Sequence, residues 1–317
     1  IKKSGGPVLE LKARRKTMIL DQIRAEQLQM PKAERFRLND LLSKLELKRA
    51  TYYDERKRIS NKFDKYHEVK RQMMIIAQKY SMRNRFTAGY RRIQVELERL
   101  GIHLAGDTIR SLMRDLDIQV TIYNRHQNRK YSSYRGTVGH LAPNRLHQNF
   151  GATKPYQVCH TDVSQVRLAN QTWAYLSVIT DEASKEVLAC QVSLHPNSDL
   201  ITSTVDELIR NLPDHACPLI HSDQGWQYQL PFYTQRLANH HFVQSMSRKG
   251  HCLDNAPVES FFHILKTELL DGLPLFEDIT AFKMMVQDYI HFFNYERVSL
   301  KTKGMTPVEY RNHAMTA

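Results

Sequence analysis

The chain has 317 residues, 41% hydrophobic and 25% charged, a globular balance that excludes a collagen-like, low-complexity or wholly disordered chain. No run approaches the ~20 consecutive apolar residues of a membrane helix, and the start shows no apolar stretch of signal-peptide type. The net charge of +13 is unevenly spread: residues 1–150 carry +18 and residues 151–317 carry −5. A basic front half joined to a mildly acidic back half points to a polyanion-binding module attached to something else, although solvated helix faces explain part of it. The clusters Lys12-Ala13-Arg14-Arg15-Lys16 and Arg56-Lys57-Arg58 favour nucleic acid.

In chain order, residues 7–118 read as helices, being rich in helix formers and poor in Gly and Pro. Leu9 to Leu28 fits one long helix, interrupted by Pro31. Leu38, Leu41, Leu42 and Leu45 then repeat at helical spacing, followed by the basic, hydroxyl-bearing stretch Lys48–Tyr53. This pair fits a helix-turn-helix or, equally, an ordinary helical hairpin. Another helix is expected over 64–82. Tyr90-Arg91-Arg92-Ile93 opens the next, with Ile93, Leu97 and Leu100 on one face and Gly101 as its stop. Asp107 is a candidate cap for a helix carrying Ile109, Leu112, Met113 and Leu116. Arg110 and Arg114 share a face of that helix, making a second helix-turn-helix candidate.

Residues 121–155 read as a basic polar linker, in which Tyr123, Arg125, Arg129, Lys130, Tyr131, Tyr134 and Arg135 interleave aromatics with cations. Such a segment can lie along DNA or serve only as a tether. From 156 the period changes. Val158–Leu168, Trp173–Thr180 and Val187–Ser193 read as strands, the second apolar enough to be buried on both faces. A helix over Asp199–Asn211, a strand over Pro218–Ser222, a helix over Pro231–Asn239, a strand over Phe242–Ser245 and a helix over Asp254–Leu270 follow. Asp254 or Asn255 is the expected cap of the last helix. The order describes an α/β domain with a mixed sheet covered by helices. The expected division is 1–60 helical, 61–120 helical and DNA-binding, 121–155 linker, 156–275 catalytic core and 276–317 helical tail.

Three acidic residues stand out. Asp162 lies inside a strand, where aspartate is disfavoured. Asp223 ends a strand, where α/β proteins place ligands. Glu259 lies about one turn into a helix whose first turn tolerates Pro257 and whose Phe261, Phe262, Leu265 and Leu269 form a docking stripe. At ~100° per residue, Glu259, His263 and Lys266 share one helix face. Three carboxylates favour Mg²⁺ or Mn²⁺ over zinc. Two such ions ~3.5–4 Å apart can drive phosphodiester cleavage. The four cysteines are scattered, with no Cys-x-x-Cys, so neither a disulfide framework nor a zinc site is expected, and the chain reads as cytoplasmic. His240-His241 and His251-Cys252 read as structural or exposed.

Sixty residues separate Asp162 from Asp223, and 35 separate Asp223 from Glu259. With His221-Ser222-Asp223-Gln224-Gly225-Trp226-Gln227-Tyr228, Ser247-Arg248-Lys249-Gly250, and Asp254-Asn255-Ala256-Pro257-Val258-Glu259-Ser260-Phe261-Phe262 followed by Lys266, the chain resembles the OrfB-type DDE transposases of the bacterial insertion sequence three family. The tail Tyr289–Arg297 and Met305–Arg311 is similar too, as is Tyr90–Ile93 to the family's helix-turn-helix. It departs from the family's pattern at His160, near which Trp is common, and at Ser164-Gln165, where Thr-Tyr is common.

The resemblance implies an RNase H-like, mixed five-stranded sheet with flanking helices, preceded by an all-α helix-turn-helix region. It implies Asp162, Asp223 and Glu259 as catalytic metal ligands for Mg²⁺, with Mn²⁺ as substitute and two ions bound. Lys266, Arg248 and Lys249 would hold DNA near the site, and Arg91, Arg92, Arg110, Arg114, Arg129 and Lys130 would hold it elsewhere. Implied partners are the terminal inverted repeats, target DNA, at least one further copy of the chain and an upstream-frame protein, with no membrane. The implied reaction is strand cleavage and transfer at insertion-sequence ends through a circular intermediate. A catalytically silent DNA-binding regulator and a sequence-independent nuclease are the alternatives, the second disfavoured by the basic front half.

Overall fold

The computed structural model describes residues 13–60, 64–120, 139–248 and 252–316. The chain folds as two compact units, 1–68 and 69–317.

The first unit is helical, with α1 (Ala13–Gln27), a 3₁₀ turn, α2 (Leu38–Lys44) and α3 (Arg49–Ser60). Its core is Leu20, Leu42, Leu47 and Tyr52, with Leu38, Leu41 and Leu45 packed against it. Buried Tyr52 donates to Asp21 Oδ1 at 2.6 Å and receives a hydrogen bond from Arg24. The leucine repeat thus forms the short helix expected, and Glu46, at φ 48°, makes the turn into basic α3.

The second unit opens within α4 (His67–Lys79), which stops short of the expected residue 82. Ser81–Met82 instead pairs with Arg85–Phe86 as a small antiparallel hairpin, β1 and β2. Arg83 and Asn84 turn it at positive φ. Next come α5 (Tyr90–Arg99) and α6 (Gly106–Asp115), which pack Ile93 and Leu97 with Ile109, Leu112 and Met113, all buried. Asp107 does not cap α6. Ala105 holds the cap position and Asp107 lies in the first turn, paired with Arg110.

The sheet contains β3 (Val158–Arg167), β4 (Trp173–Asp181), β5 (Val187–Ser193), β6 (Leu219–Ser222) and β7 (Val243–Met246). The spatial order is β5-β4-β3-β6-β7. The first three strands form an antiparallel meander, and β3/β6 and β6/β7 are parallel. β4 is buried along nearly its whole length, as its continuous apolar run required.

Alternation along the strands divides the sheet faces. Cys159, Ile179, Ala189 and Ile220 point to one face, where they form a core with Ile201, Val205 and Leu208 of α7 (Ser198–Asn211) and Tyr233 and Leu237 of α8 (Pro231–Asn239). His160, Asp162 and His221 point to the other. There α9 (Ala256–Leu265) packs on β3 and β4. α9 continues as a π-helical turn, Lys266–Leu270, so the expected single helix to Leu270 changes its winding at Lys266. α10 (Ile279–Tyr295) and α11 (Pro307–Thr316) complete the unit.

The linker expectation is described only from residue 139 onward, and there the chain is strapped to the core. His140 N–H donates to the Gln229 carbonyl, Arg145 N–H to Ser245 Oγ, and Met246 N–H to the Pro143 carbonyl. Among the described residues no helix is long and apolar enough to cross a membrane.

Candidate active site

The sheet places the two aspartates. β3 and β6 run parallel with His160 opposite His221, and Asp162 and Asp223 each lie two residues further on, side by side at the end of the ladder. Each carboxylate is steadied by a main-chain amide. Val163 N–H donates to Asp162 Oδ1 and Gly225 N–H to Asp223 Oδ1, both at 2.8 Å. A Cβ at residue 225 would come within 2.9 Å of Asp223 Oδ1, so the turn after β6 needs glycine for its close approach. Glu259 comes from the first turn of α9, on the sheet face that carries the aspartates.

All three are half-buried, and their charges are felt in common. Burial raises the Asp162 carboxyl well above its ordinary range, the charges of Asp223 and Glu259 raise it further, and Lys266 pulls it down. Burial also raises Asp223, against the opposing pull of the Gly225 amide. Glu259 is raised by burial and then by Asp223. Lys266, half-buried where α9 passes into the π turn, is therefore within electrostatic reach of Asp162. His263 on the same helix face is exposed.

Beneath the carboxylates lies a polar layer that the sequence reading passed over. His160 is fully buried, with Nε2 2.8 Å from Glu182 Oε2 and Nδ1 3.2 Å from Asn255 Oδ1. Asn255 Nδ2 donates to the Thr161 carbonyl at 3.1 Å. His221 packs edge-on against His160, and its Nδ1 lies 2.9 Å from Ser245 Oγ. Burial holds His221 down at about 4, so it is neutral at physiological pH. Asn255 stood in the motif that marks α9, but its residue type pointed to a cap. It occupies the cap position, yet its side chain makes no cap bond.

Asp254 does not cap α9 either. Buried, it accepts from Arg248 N–H, Nε and Nη2 at 2.9–3.0 Å, from Asn144 Nδ2 at 3.0 Å and from Gln148 Nε2 at 2.6 Å. Arg248 thus pairs with Asp254 through Nε and Nη2, while its side chain stays about half exposed, at 52%. Lys249 lies outside the described residues, as do Arg129 and Lys130.

The helical candidates separate in the same way. Arg91, Arg110 and Arg114 are exposed on α5 and α6, with Arg110 4.4 Å over the Tyr90 ring. Arg92 turns inward. It donates to the Thr87 carbonyl and lies 3.7 Å from Glu268, whose side chain is fully buried. Glu268 belongs to the π turn. It binds the Arg297 guanidinium through both oxygens, the shortest contact being 2.7 Å, and accepts from Tyr289 Oη at 2.9 Å. Burial pushes Glu268 up, and Arg297 more than offsets it, leaving the carboxyl below its ordinary range. Arg83 and Arg85 of the hairpin cap the carbonyls that end this turn, Arg83 at Leu269 and Pro274, and Arg85 at Thr267 and Asp271. Cations at a helix C-terminus complement its exposed carbonyls. Arg297 lay in a recognised tail segment, but nothing in its spacing announced Glu268 as its partner.

The chain matches the family described as integrase core domain over residues 152–252 and again over 259–315, and the HTH-like domain over 68–126. It is 40% identical over 275 residues to a protein of Escherichia coli (strain K12) named as the transposase InsK for insertion sequence element IS150, spanning 87% of this chain and 93% of that one. Transposase InsF for insertion sequence IS3A, from the same organism, is 32% identical over 188 residues, 58% of this chain and 65% of that one. The HTLV-2 integrase catalytic core domain, solved in complex with magnesium, aligns at TM-score 0.37 and 18% identity, over 50% of this chain and 97% of that one. The chain belongs to the OrfB-type DDE transposases of the insertion sequence three family, polynucleotidyl transferases with an integrase core domain.

Proposed function

We propose that Asp162, Asp223 and Glu259 are the catalytic carboxylates of this transposase and hold Mg²⁺, or Mn²⁺ in its place, while DNA at the ends of its insertion sequence is cut and joined. The observation that supports this most is the gathering of three half-buried carboxyls from β3, the end of β6 and α9 on one sheet face, close enough that Asp223 and Glu259 raise Asp162 and Asp223 raises Glu259. The donor set fits a hard divalent ion, since all three side chains offer oxygen and neither thiol nor imidazole stands among them. Among the described residues no three acidic, His or Cys side chains are already grouped closely enough to share one ion. When bound, one or two such ions make the attacking hydroxyl a better nucleophile and neutralise charge on the leaving oxygen.

The protein's own part is geometric. Asp162 stands on β3 and Asp223 just beyond the end of the adjoining β6, and Glu259 comes to the site from α9. The attacking group, a water or a DNA 3′-OH, lines up with the scissile phosphodiester, and no covalent enzyme–DNA bond is formed. Lys266, within electrostatic reach of Asp162, would hold a phosphate beside the carboxylates. Arg91, Arg110 and Arg114 present α5 and α6 to the terminal repeats. Arg129, Lys130 and Lys249 extend the contacts on the strength of the sequence alone. Joining two ends to a target calls for at least two copies of the chain, with the upstream-frame protein as a further partner. Such a protein works on the nucleoid in the cytoplasm.

Joining of end-containing DNA in Mg²⁺, with chelator and with Mn²⁺ restored, tests the site. The parent protein should join in either metal and stop in chelator, and Asp223→Asn should bind ends without joining. Joined product from Asp223→Asn, or in chelator, contradicts the assignment.

A further inference from the structure

Asparagine at the start of a helix ordinarily spends its side chain on the helix's free amides. Asn255 stands at that position before α9 and caps nothing. Both of its polar atoms are turned to β3 instead. Nδ2 donates to the Thr161 carbonyl, so Oδ1 is the acceptor facing His160 Nδ1. His160 is held from its far side by Glu182, whose other oxygen accepts from Ala152 N–H at 2.9 Å. Asn255, His160 and Glu182 are 3%, 0% and 1% exposed, and buried polar groups so fully paired specify one arrangement of the elements they join.

The two ends of this stitch fall beside the reacting carboxylates. Thr161 immediately precedes Asp162, and Asn255 lies four residues, about one helical turn, before Glu259. The next three residues of α9, Ala256, Pro257 and Val258, offer no side-chain hydrogen bond. The amide thus ties strand and helix together beside these two carboxylates.

We infer that Asn255 is a positioning residue, which fixes the helix bearing Glu259 to the strand bearing Asp162 and so sets the gap that a divalent ion must fill. This rests on the carboxylate assignment proposed above.

The test compares the full-length parent, Asn255→Ala, Asn255→Asp and Glu259→Gln on the same DNA ends. Three quantities are read: affinity for the ends by fluorescence anisotropy, Mn²⁺ bound to the protein–DNA complex by electron paramagnetic resonance, and joining rate across a Mn²⁺ series. Asn255→Asp keeps the acceptor facing His160 but sets a carboxylate oxygen against the Thr161 carbonyl. It isolates that bond at unchanged size and serves where the alanine variant does not fold. Both Asn255 variants should keep end affinity within about twofold and bind Mn²⁺ about 10–100-fold more weakly, as residues that orient metal ligands do. Both should regain most of their joining rate at high Mn²⁺, a rescue that a defect of folding alone does not give. Unchanged Mn²⁺ affinity and joining rate in a folded variant overturns the inference, as does a loss of joining that no Mn²⁺ concentration restores. Failure of both variants to fold overturns it also, by assigning Asn255 to stability alone. If Glu259→Gln joins ends like the parent, the carboxylate assignment itself falls and the inference with it, an outcome separable from the others.

Discussion

Asp162 and Asp223 each stand two residues beyond the paired His160 and His221 of parallel β3 and β6, and the charge of Asp223 acts on Asp162. Neighbouring strands lie roughly 4.8 Å apart, so the fold brings two carboxylates close together, and among the described residues the cation that acts on Asp162 is Lys266. Such an arrangement costs stability in the absence of a positive ion. A carboxyl whose folded pKa is raised favours the folded state only while protonated. That contribution is whole at low pH and is lost as pH rises from about 4 through the folded value. Asp162 is raised in this way. In chelator the parent should therefore melt lower at pH 8 than at pH 6 by comparison with Asp162→Asn, and the variant should gain about 1–2 kcal/mol at pH 8 while losing joining activity. Added Mg²⁺ should raise the parent's melting temperature more than the variant's. Thermal melts at the two pH values decide it, and a variant less stable than the parent at both is the contrary result.

Gly225 sets the approach of the second aspartate. Its amide holds Asp223 Oδ1, and an added Cβ would meet that same oxygen at 2.9 Å and the Gln227 side chain at 2.7 Å. Gly225→Ala should lower the joining rate by about tenfold or more, since a misplacement near 1 Å is worth up to about a hundredfold, with end binding preserved. A rate within twofold of the parent's would show that the turn yields without moving Asp223.

The outline of the core was legible because its physics is local. β4 announced itself by an unbroken apolar run, β3 by Asp162 in an otherwise strand-like sequence, and α9 by its Phe261, Phe262 and Leu265 stripe. What stayed hidden depends on groups distant in sequence. Glu268 and Arg297 meet across 29 residues, Asp254 gathers Asn144 and Gln148 across more than 100, and Asn255 forgoes a local cap for a carbonyl 94 residues away. The resemblance likewise set Arg92 beside Arg91 as a candidate for DNA, whereas the inward turn of Arg92 toward Glu268 depends on a residue 176 positions away.

The Glu268–Arg297 pair should rank among the stability determinants of the second unit. Removing one partner of a buried ion pair leaves an uncompensated charge and costs about 3–5 kcal/mol. Arg297→Ala should reach that range in chemical denaturation, with Arg92→Ala destabilising less, in keeping with its longer 3.7 Å contact. A loss under about 1 kcal/mol for Arg297→Ala would show that water replaces the guanidinium.

Exposed arginines on α5 and α6 should behave otherwise. Arg91→Ala, Arg110→Ala and Arg114→Ala should leave the melting temperature nearly unchanged and weaken end binding. Each lost phosphate contact should lower the slope of log affinity against log salt by about 0.9. Arg92→Ala should destabilise the protein with the salt slope intact. A titration of end DNA at several salt concentrations separates the two classes, and an unchanged slope in all three exposed variants would move the DNA-reading surface elsewhere.

The most direct test of the site is Glu259→Gln, which keeps the size of the side chain and removes its charge. With the DNA ends of its own element, in Mg²⁺ and then in Mn²⁺, the parent should yield joined strands. The variant should bind the same ends with similar affinity and yield none, a loss of at least about a thousandfold. Joined strands from Glu259→Gln at the parent's rate would contradict the assignment of Asp162, Asp223 and Glu259 as the catalytic centre.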